Sequence, residues 1–515
     1  MQFLCKQQKY LKNKKMIKKL LYYSTFLISI STFAQTNVSG PYFSNSVWGL
    51  SGSPYNLTGD VQIPNGVSLT IEPGVQINFN SDYEILVKGN LIAKGISGFP
   101  IKFTGNISGK SMLLFKSTNL DNSKLSFIDF KGPKKALQLA QESEFSQDVI
   151  KNSGTLSISD ISFNNTTIQT NGYGTTAKLF IENASIASST IIGVYPRSET
   201  IEIKNSSMIN SIVNSDSYNY GIIVNECIAN NTLFKIGCCG ANLKFQNSKL
   251  YDSSIIEGNG NPKNGPVLIV NSTFTNTLLK LPAARVVISG SAFNYNTSNG
   301  LIFGNGTFEC SQITGNNSGT AIQITGADGY NIGNSVIISN STIKNNSVGL
   351  DIVNANTLSI TNSNLYNNTT YNIKNSSSKN ITATNNWWGT TDTFLIRSSI
   401  YDYYKNINYG EVNYINYFNS LINNCSTLST DIFLKNKKVA VYPNPSNGIV
   451  NIDLGSKEDV SIRVFNLEGK IIYNIENIYT QFHQFELNQN SGLYIIEINS
   501  QNKKQNFKLL MAPQQ

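Results

Sequence analysis

Asp216, Lys235, Glu257 and Lys280 come nearest to a catalytic constellation in this chain. They are two carboxyls and two amines separated by 19, 22 and 23 residues, with Arg197 and Tyr218 close to the first. A retaining glycosidase needs two carboxyl groups about 5 Å apart and an inverting one needs about 6.5 to 9.5 Å. If each interval is one turn of a stacked-strand structure, Asp216 and Glu257 lie about 10 Å apart with a lysine between them, which suits neither. A lyase would need Lys235 without its proton, and flanking carboxylates stabilise the ammonium instead. Asp216, Lys235, Glu257, Arg197 and Tyr218 are therefore the catalytic candidates, set against an exposed ion-pair ladder worth about 0 to 1 kcal/mol per pair.

Other chemistry is sparse. The single histidine is His483, near the C-terminus, so imidazole chemistry is not available to the middle of the chain. No Asp-x-Asp or Asp-Asp pair occurs between Gly59 and Phe418, and no Gly-Gly-x-Gly-x-Asp calcium repeat is present. Cys227, Cys238, Cys239, Cys310 and Cys425 follow neither a zinc spacing nor a disulfide framework, so they are expected as small core residues with room for one bridge. No cofactor and no metal is expected.

The elements that must position any site follow from a repeat. Steps such as Asn271-Ser-Thr-Phe and Asn340-Ser-Thr-Ile recur, and their first residues are Asp160, Asn183, Asn205, Asn225, Asn247, Asn271, Gly290, Cys310, Asn340, Asn362 and Asn385. The gaps of 23, 22, 20, 22, 24, 19, 20, 30, 22 and 23 residues identify a solenoid. Around each anchor apolar and polar residues alternate with β-branched types, as in Val336-Ile-Ile-Ser, which specifies strands and excludes helical repeats. The expected architecture is an all-β parallel β-helix rising about 4.8 Å per coil, with a ladder of Asn amides bonding from coil to coil. The frequent Asn-x-Ser/Thr triplets follow from this ladder and are not read as modification sites.

Lys18 and Lys19 precede an apolar run, Leu20 to Phe33, which ends in small residues; this predicts a secretory signal over 1–34, cut after Ala34, with either Met1 or Met16 as its start. The run is too short and too interrupted for a membrane span. Its removal takes seven lysines with it, so the formal charge of +9 becomes +2 and no nucleic-acid partner is implied. Residues 35–58, with Trp48, are expected to cap the solenoid. Residues 59–420 form the helix and 421–438 a linker. Lys134 to Ser146 suits a helix or a strand equally, and the thirty-residue coil around Gly326 is expected to extrude a loop.

Val67-Ser-Leu-Thr-Ile-Glu-Pro-Gly and Gly89-Asn-Leu-Ile-Ala-Lys-Gly resemble the opening coils of secreted right-handed parallel β-helix proteins, and Asn385-Asn-Trp-Trp-Gly resembles their terminal coil. The two indoles are read as an end plug.

Residues 439–515 differ in character. Tyr442, Pro443, Asn444, Pro445 and Gly448, then Gly469, then Gly492 and Tyr494 punctuate alternating strands, which predicts a small Ig-like β-sandwich. This series resembles the type A C-terminal sorting domain of the type IX secretion system. The resemblance implies that secretion machinery as a partner and a secreted or surface-attached destination. Two functions compete for the helix. One is adhesive, glycan-binding or structural, with an extracellular glycan or a host or cell-surface ligand as partner; the other is a polysaccharide lyase or glycoside hydrolase. Fold alone does not decide between them, and the scarcity of paired acids favours the first, as a monomer.

Overall fold

A typical coil begins with a five-residue strand whose second and fourth side chains point inward. In Lys178–Glu182 these are Leu179 and Ile181, and in Asn242–Gln246 they are Leu243 and Phe245, all buried. The computed structural model describes residues 35–140, 152–171, 177–194, 200–215, 221–237, 242–257, 266–295, 300–315, 317–325, 335–423, 425, 439–442, 446, 448–487, 489–500 and 503–511. The signal segment 1–34 with Ala34, Arg197, Asp216, Tyr218, Cys238, Cys239, Pro443, Asn444, Pro445 and the 326–334 loop lie outside the described residues.

Each strand pairs in parallel with its equivalent one coil on, as Leu179 does with Ile201 and Ile201 with Ile222. Three sheets result. The first contains Lys178–Glu182 and Thr200–Lys204; the second, three residues wide, Ser185–Ala187 and Ser207–Ile209; the third, Thr190–Val194 and Ile212–Ser215. About 13 turns stack in this way into a parallel β-solenoid. Its interior carries runs of rings, including Phe103, Phe130 and Phe163 with centroids 5.2 and 5.6 Å apart. Such stacking suits equivalent positions separated by one strand spacing.

In most described coils two left-handed residues make the corners between sheets. The first series is Asp160, Asn183, Asn205, Glu226, Asn247, Asn271, Gly290, Cys310, Asn340, Asn362 and Asn385, with φ between 45° and 58°. Asn dominates because its short polar side chain tolerates this conformation better than most. Glu226, not Asn225, holds the corner in its coil. At Gly290 a Cβ would come 2.4 Å from Asn271 Oδ1, so the bare residue leaves space for that amide.

The left-handed residue turns its side chain outward, and the next residue points in. Exposed amides do bond between coils, as Asn205 Nδ2 donates to Asn183 Oδ1 at 2.7 Å. The buried ladder, however, is made of serine. Ser206, Ser248, Ser272, Ser291, Ser311, Ser341 and Ser363 are buried, and each Oγ accepts the backbone N–H at the same corner one coil earlier, at 2.9 to 3.2 Å. Asn386 continues the series by accepting from Ser363 at 2.9 Å. This satisfies corner amides that would otherwise be orphaned in the core.

At the N-terminal end Trp48 is buried, stacks on Tyr55 at 4.8 Å and donates its indole N–H to the Tyr42 hydroxyl. Strand pairing already starts ahead of residue 59, because Thr36–Pro41 pairs in parallel with Tyr55–Ile63. Lys135–Ala140 is a strand of the third sheet, since both its neighbours supply strand partners. At the other end Trp388 is buried against Tyr414, whereas Trp387 is half-buried and bridges to Asn364.

Beyond that end the chain doubles back. Ile422 exchanges two hydrogen bonds with the Asn364 side chain, and Cys425 forms a disulfide with Cys310. Cys227 is a buried free thiol, whose pKa desolvation pushes up to about 12. The C-terminal unit is a five-stranded antiparallel sheet around its own core of Val450, Ile462, Val464, Ile496 and Leu509. Its central strand, Ile449–Phe465, breaks register between Asp453 and Glu458, so one long strand serves two stretches of pairing. Among the described residues no helix is long and apolar enough to cross a membrane.

Candidate functional site

The outward face of the third sheet sorts the candidate residues by register. Lys235 pairs with Ile256, and Ile256 with Lys280. Glu257 lies one position further, in the column of Ile236. The expected single column of alternating charge is therefore not formed by these residues. Counting from the true corners explains this: Asn214, Lys235, Ile256 and Lys280 each lie nine residues after Asn205, Glu226, Asn247 and Asn271. A one-residue error in a strand moves a side chain to the opposite face.

Glu257 is held by backbone instead. Its Oε1 accepts from the N–H groups of Ala283 and Ala284, both at 2.7 Å, where the strand Leu278–Ser289 shifts register. Burial raises its pKa, and the two N–H bonds act in the opposite direction. A carboxylate so engaged anchors the bend.

The same outward column continues to a group of residues that the sequence spacing did not single out. From Lys280 it runs through Ile302, Gln323, Asp351 and Lys374 to Tyr401. Gln323 Nε2 donates to Asp351 Oδ2 at 3.2 Å, and Lys374 Nζ lies 3.3 Å from Asp351 Oδ1. The Asp351 carboxylate is therefore fixed from both sides while Lys374 stays 37 % exposed. One step beyond Lys374 in register, the Tyr401 ring lies 5.4 Å from that of Tyr371 and 6.0 Å from that of Tyr409. All three rings are half-buried, with part of each open to solvent.

Tyr401 and Tyr409 hang on a turn that is itself well anchored. Asp402 is fully buried, ion-paired with Arg397 and accepting from the N–H groups of Tyr404 and Val412. Arg397 lies 4.5 Å above the Tyr404 ring, and the Tyr404 hydroxyl donates to Glu411, whose negative charge raises that hydroxyl's pKa. Fixed aromatic faces beside an orienting carboxylate, amide and amine can take a ligand with apolar ring faces and hydroxyl edges. Among the described residues no group of three or more His, Cys, Asp or Glu side chains is placed to hold a metal ion.

Of the sorting-motif residues, Gly469 has φ 79°, and the Tyr494 hydroxyl donates to the Asn490 carbonyl at 2.8 Å. Gly448 is buried and Gly492 begins the strand Gly492–Ser500. Tyr442 ends the strand Ala440–Tyr442, which pairs with Asn451 to Asp453.

Residues 440–512 match the family described as secretion system C-terminal sorting domain. This tail implies export to an extracellular or cell-surface location and a working contact with secretion machinery. No curated protein matches the chain in sequence. Among solved structures, the chain is similar to tailspike protein gp49 of the Acinetobacter baumannii bacteriophage Fri1, a capsular polysaccharide depolymerase. The identity is 10 %, coverage is 88 % of this chain and 73 % of that one, and the TM-score is 0.24. A second is the catalytic domain of a GH87 alpha-1,3-glucanase, 12 % identical over 64 % of each chain, with a TM-score of 0.22. A third is the tailspike of E. coli bacteriophage HK620, 9 % identical over 88 % of this chain and 86 % of that one, with a TM-score of 0.20.

Proposed function

We propose that the exported chain is a glycan-binding surface or secreted protein, whose β-helix is the recognition element. The observation that carries this reading is that Tyr401, whose ring lies beside those of Tyr371 and Tyr409, continues the outward column of Gln323, Asp351 and Lys374. Sugar rings stack their apolar faces on such aromatic surfaces, and their hydroxyls bond to fixed carboxylate, amide and ammonium groups. A parallel sheet suits the task, because equivalent side chains repeat along the axis at a constant rise, as sugars do along an extended polymer. The signal segment ending at Ala34 would bring the chain to the periplasm, and the C-terminal unit would take it across the outer membrane.

The competing reading, a polysaccharide lyase or hydrolase, has less support. Glu257 is committed to two backbone amides, and Lys235 has Ile256 rather than an acid as its neighbour in the column. Binding of the intact exported chain to an array of microbial and host glycans tests the proposal, with Tyr401→Ala and Asp351→Asn beside the wild type. Binding that both substitutions weaken at least about tenfold supports it. An array on which the wild type binds nothing, or on which neither substitution matters, overturns it. Release of new reducing ends or unsaturated products would replace it with the enzymatic reading.

A further inference from the structure

Lys235 and Lys280 share the outward column with Lys374 but, unlike it, have no carboxylate beside them in register. Where Lys204 meets Glu182 in register on the first sheet, the two pair at 3.1 Å, so coil-to-coil ion pairs are available to this architecture. Lys235 and Lys280 form no ion pair among the described residues. Ile256 separates them in the outward column and Ile302 follows Lys280, both half-buried. Two steps of the stack place the lysines about 10 Å apart, which is the reach of roughly two linked sugar rings. Gln323 is the next polar side chain two steps on, and Lys374 stands two steps beyond that. The column thus alternates a hydrogen-bond donor with Ile256, Ile302 and Asp351, and it ends on Tyr401.

We infer that this column binds a linear acidic glycan in which a carboxylate recurs on every second sugar, lying along the solenoid axis from Tyr401 toward Lys235. The inference rests on the glycan-binding reading and adds polymer direction, charge and length to it. At the Tyr401 end Asp351 is buried and already neutralises Lys374, so among the described residues no free cation is left there for an acidic group and an uncharged sugar sits against the Tyr401 ring. Toward the other end Ile256 and Ile302 offer shelves for the apolar faces of sugars, and Lys280 and Lys235 meet the acidic groups. The distance from Tyr401 to Lys235 is seven steps, about 34 Å, so a short oligosaccharide fills the tyrosine end without reaching both lysines.

The probe is hyaluronan, which alternates an acidic with an uncharged sugar. A tetrasaccharide and a decasaccharide are titrated into the intact exported chain at low and high salt, beside a decamer of galacturonate and a neutral β-glucan decamer. The expected result is that the hyaluronan decasaccharide binds about tenfold more tightly than the tetrasaccharide at low salt, and that salt removes this gain. Lys235→Gln combined with Lys280→Gln should remove the same gain while leaving tetrasaccharide binding and the melting temperature unchanged. Tyr401→Ala should weaken both lengths. If the double lysine variant binds the decasaccharide as the wild type does, or the neutral or all-acidic decamer gains equally from length, the column is not an acidic-glycan site. The glycan reading then survives on the Tyr401 result. If no oligosaccharide binds at all, both are overturned.

Discussion

The Ser291 hydroxyl accepts the backbone N–H of Ser272, one coil away, at 3.1 Å, and donates to the carbonyl of Ser289 at 2.9 Å. Ser291 is fully buried, so this one oxygen both completes a neighbouring corner and closes its own. Replacing it with Ala should leave the Ser272 amide without a partner and cost about 1 to 3 kcal/mol. Asn271→Gly, at the adjacent exposed corner with φ 48°, should cost far less because glycine accepts that conformation freely. Thermal or urea unfolding of the two variants measures the contrast. Equal destabilisation by both would mean that the corner conformation, not the buried serine, governs stability.

The disulfide between Cys310 and Cys425 closes a loop with a sequence separation of 115 and pins the returning segment beside Asn340 and Asn364. Its loss through Cys425→Ser should destabilise the terminal coils by about 4 kcal/mol. Protease cleavage near residue 422 should then become faster, and mass spectrometry of the fragments reads this directly.

Glu257 links stability to pH. Burial raises its folded pKa above the ordinary 4.5, so the folded chain holds the proton more tightly than the unfolded one. Its effect on stability is least unfavourable below 4.5, and stability falls as pH rises from there through the raised value. Glu257→Gln should abolish this part of the pH dependence while keeping an oxygen for the Ala283 and Ala284 amides. Unfolding midpoints of the two proteins across mildly acidic pH should diverge in that sense, and parallel curves would contradict the assignment.

The C-terminal unit has its own buried core, so it is expected to separate from the solenoid. A chain ending after Ser429 should still fold its β-helix but remain in the periplasm. Fractionation of cells expressing it, with antibody labelling of intact cells, checks this. Efficient surface display without residues 440–512 would show that export uses another signal.

Period and alternation were enough to read the parallel solenoid from the sequence. A repeat of about twenty residues with period-two apolar patterning has few other ways to bury its inward side chains. The C-terminal tail was legible through its turn residues Gly448, Gly469 and Gly492. Tertiary structure alone decided the face on which each side chain falls. Asn225 and Glu226 are both plausible at a corner by composition, and choosing the wrong one moved the expected partners of Lys235 by a residue. Between Asn340 and Tyr401 the distance from corner to outward column lengthens from eleven to twelve to sixteen residues, so Asp351, Lys374 and Tyr401 share no fixed interval. Coil length varies because loops leave the stack freely, whereas hydrogen-bonded register keeps the strands aligned. The alignment of Tyr401 with Lys374 and Asp351 is therefore a property of that register, and local sequence carries no trace of it.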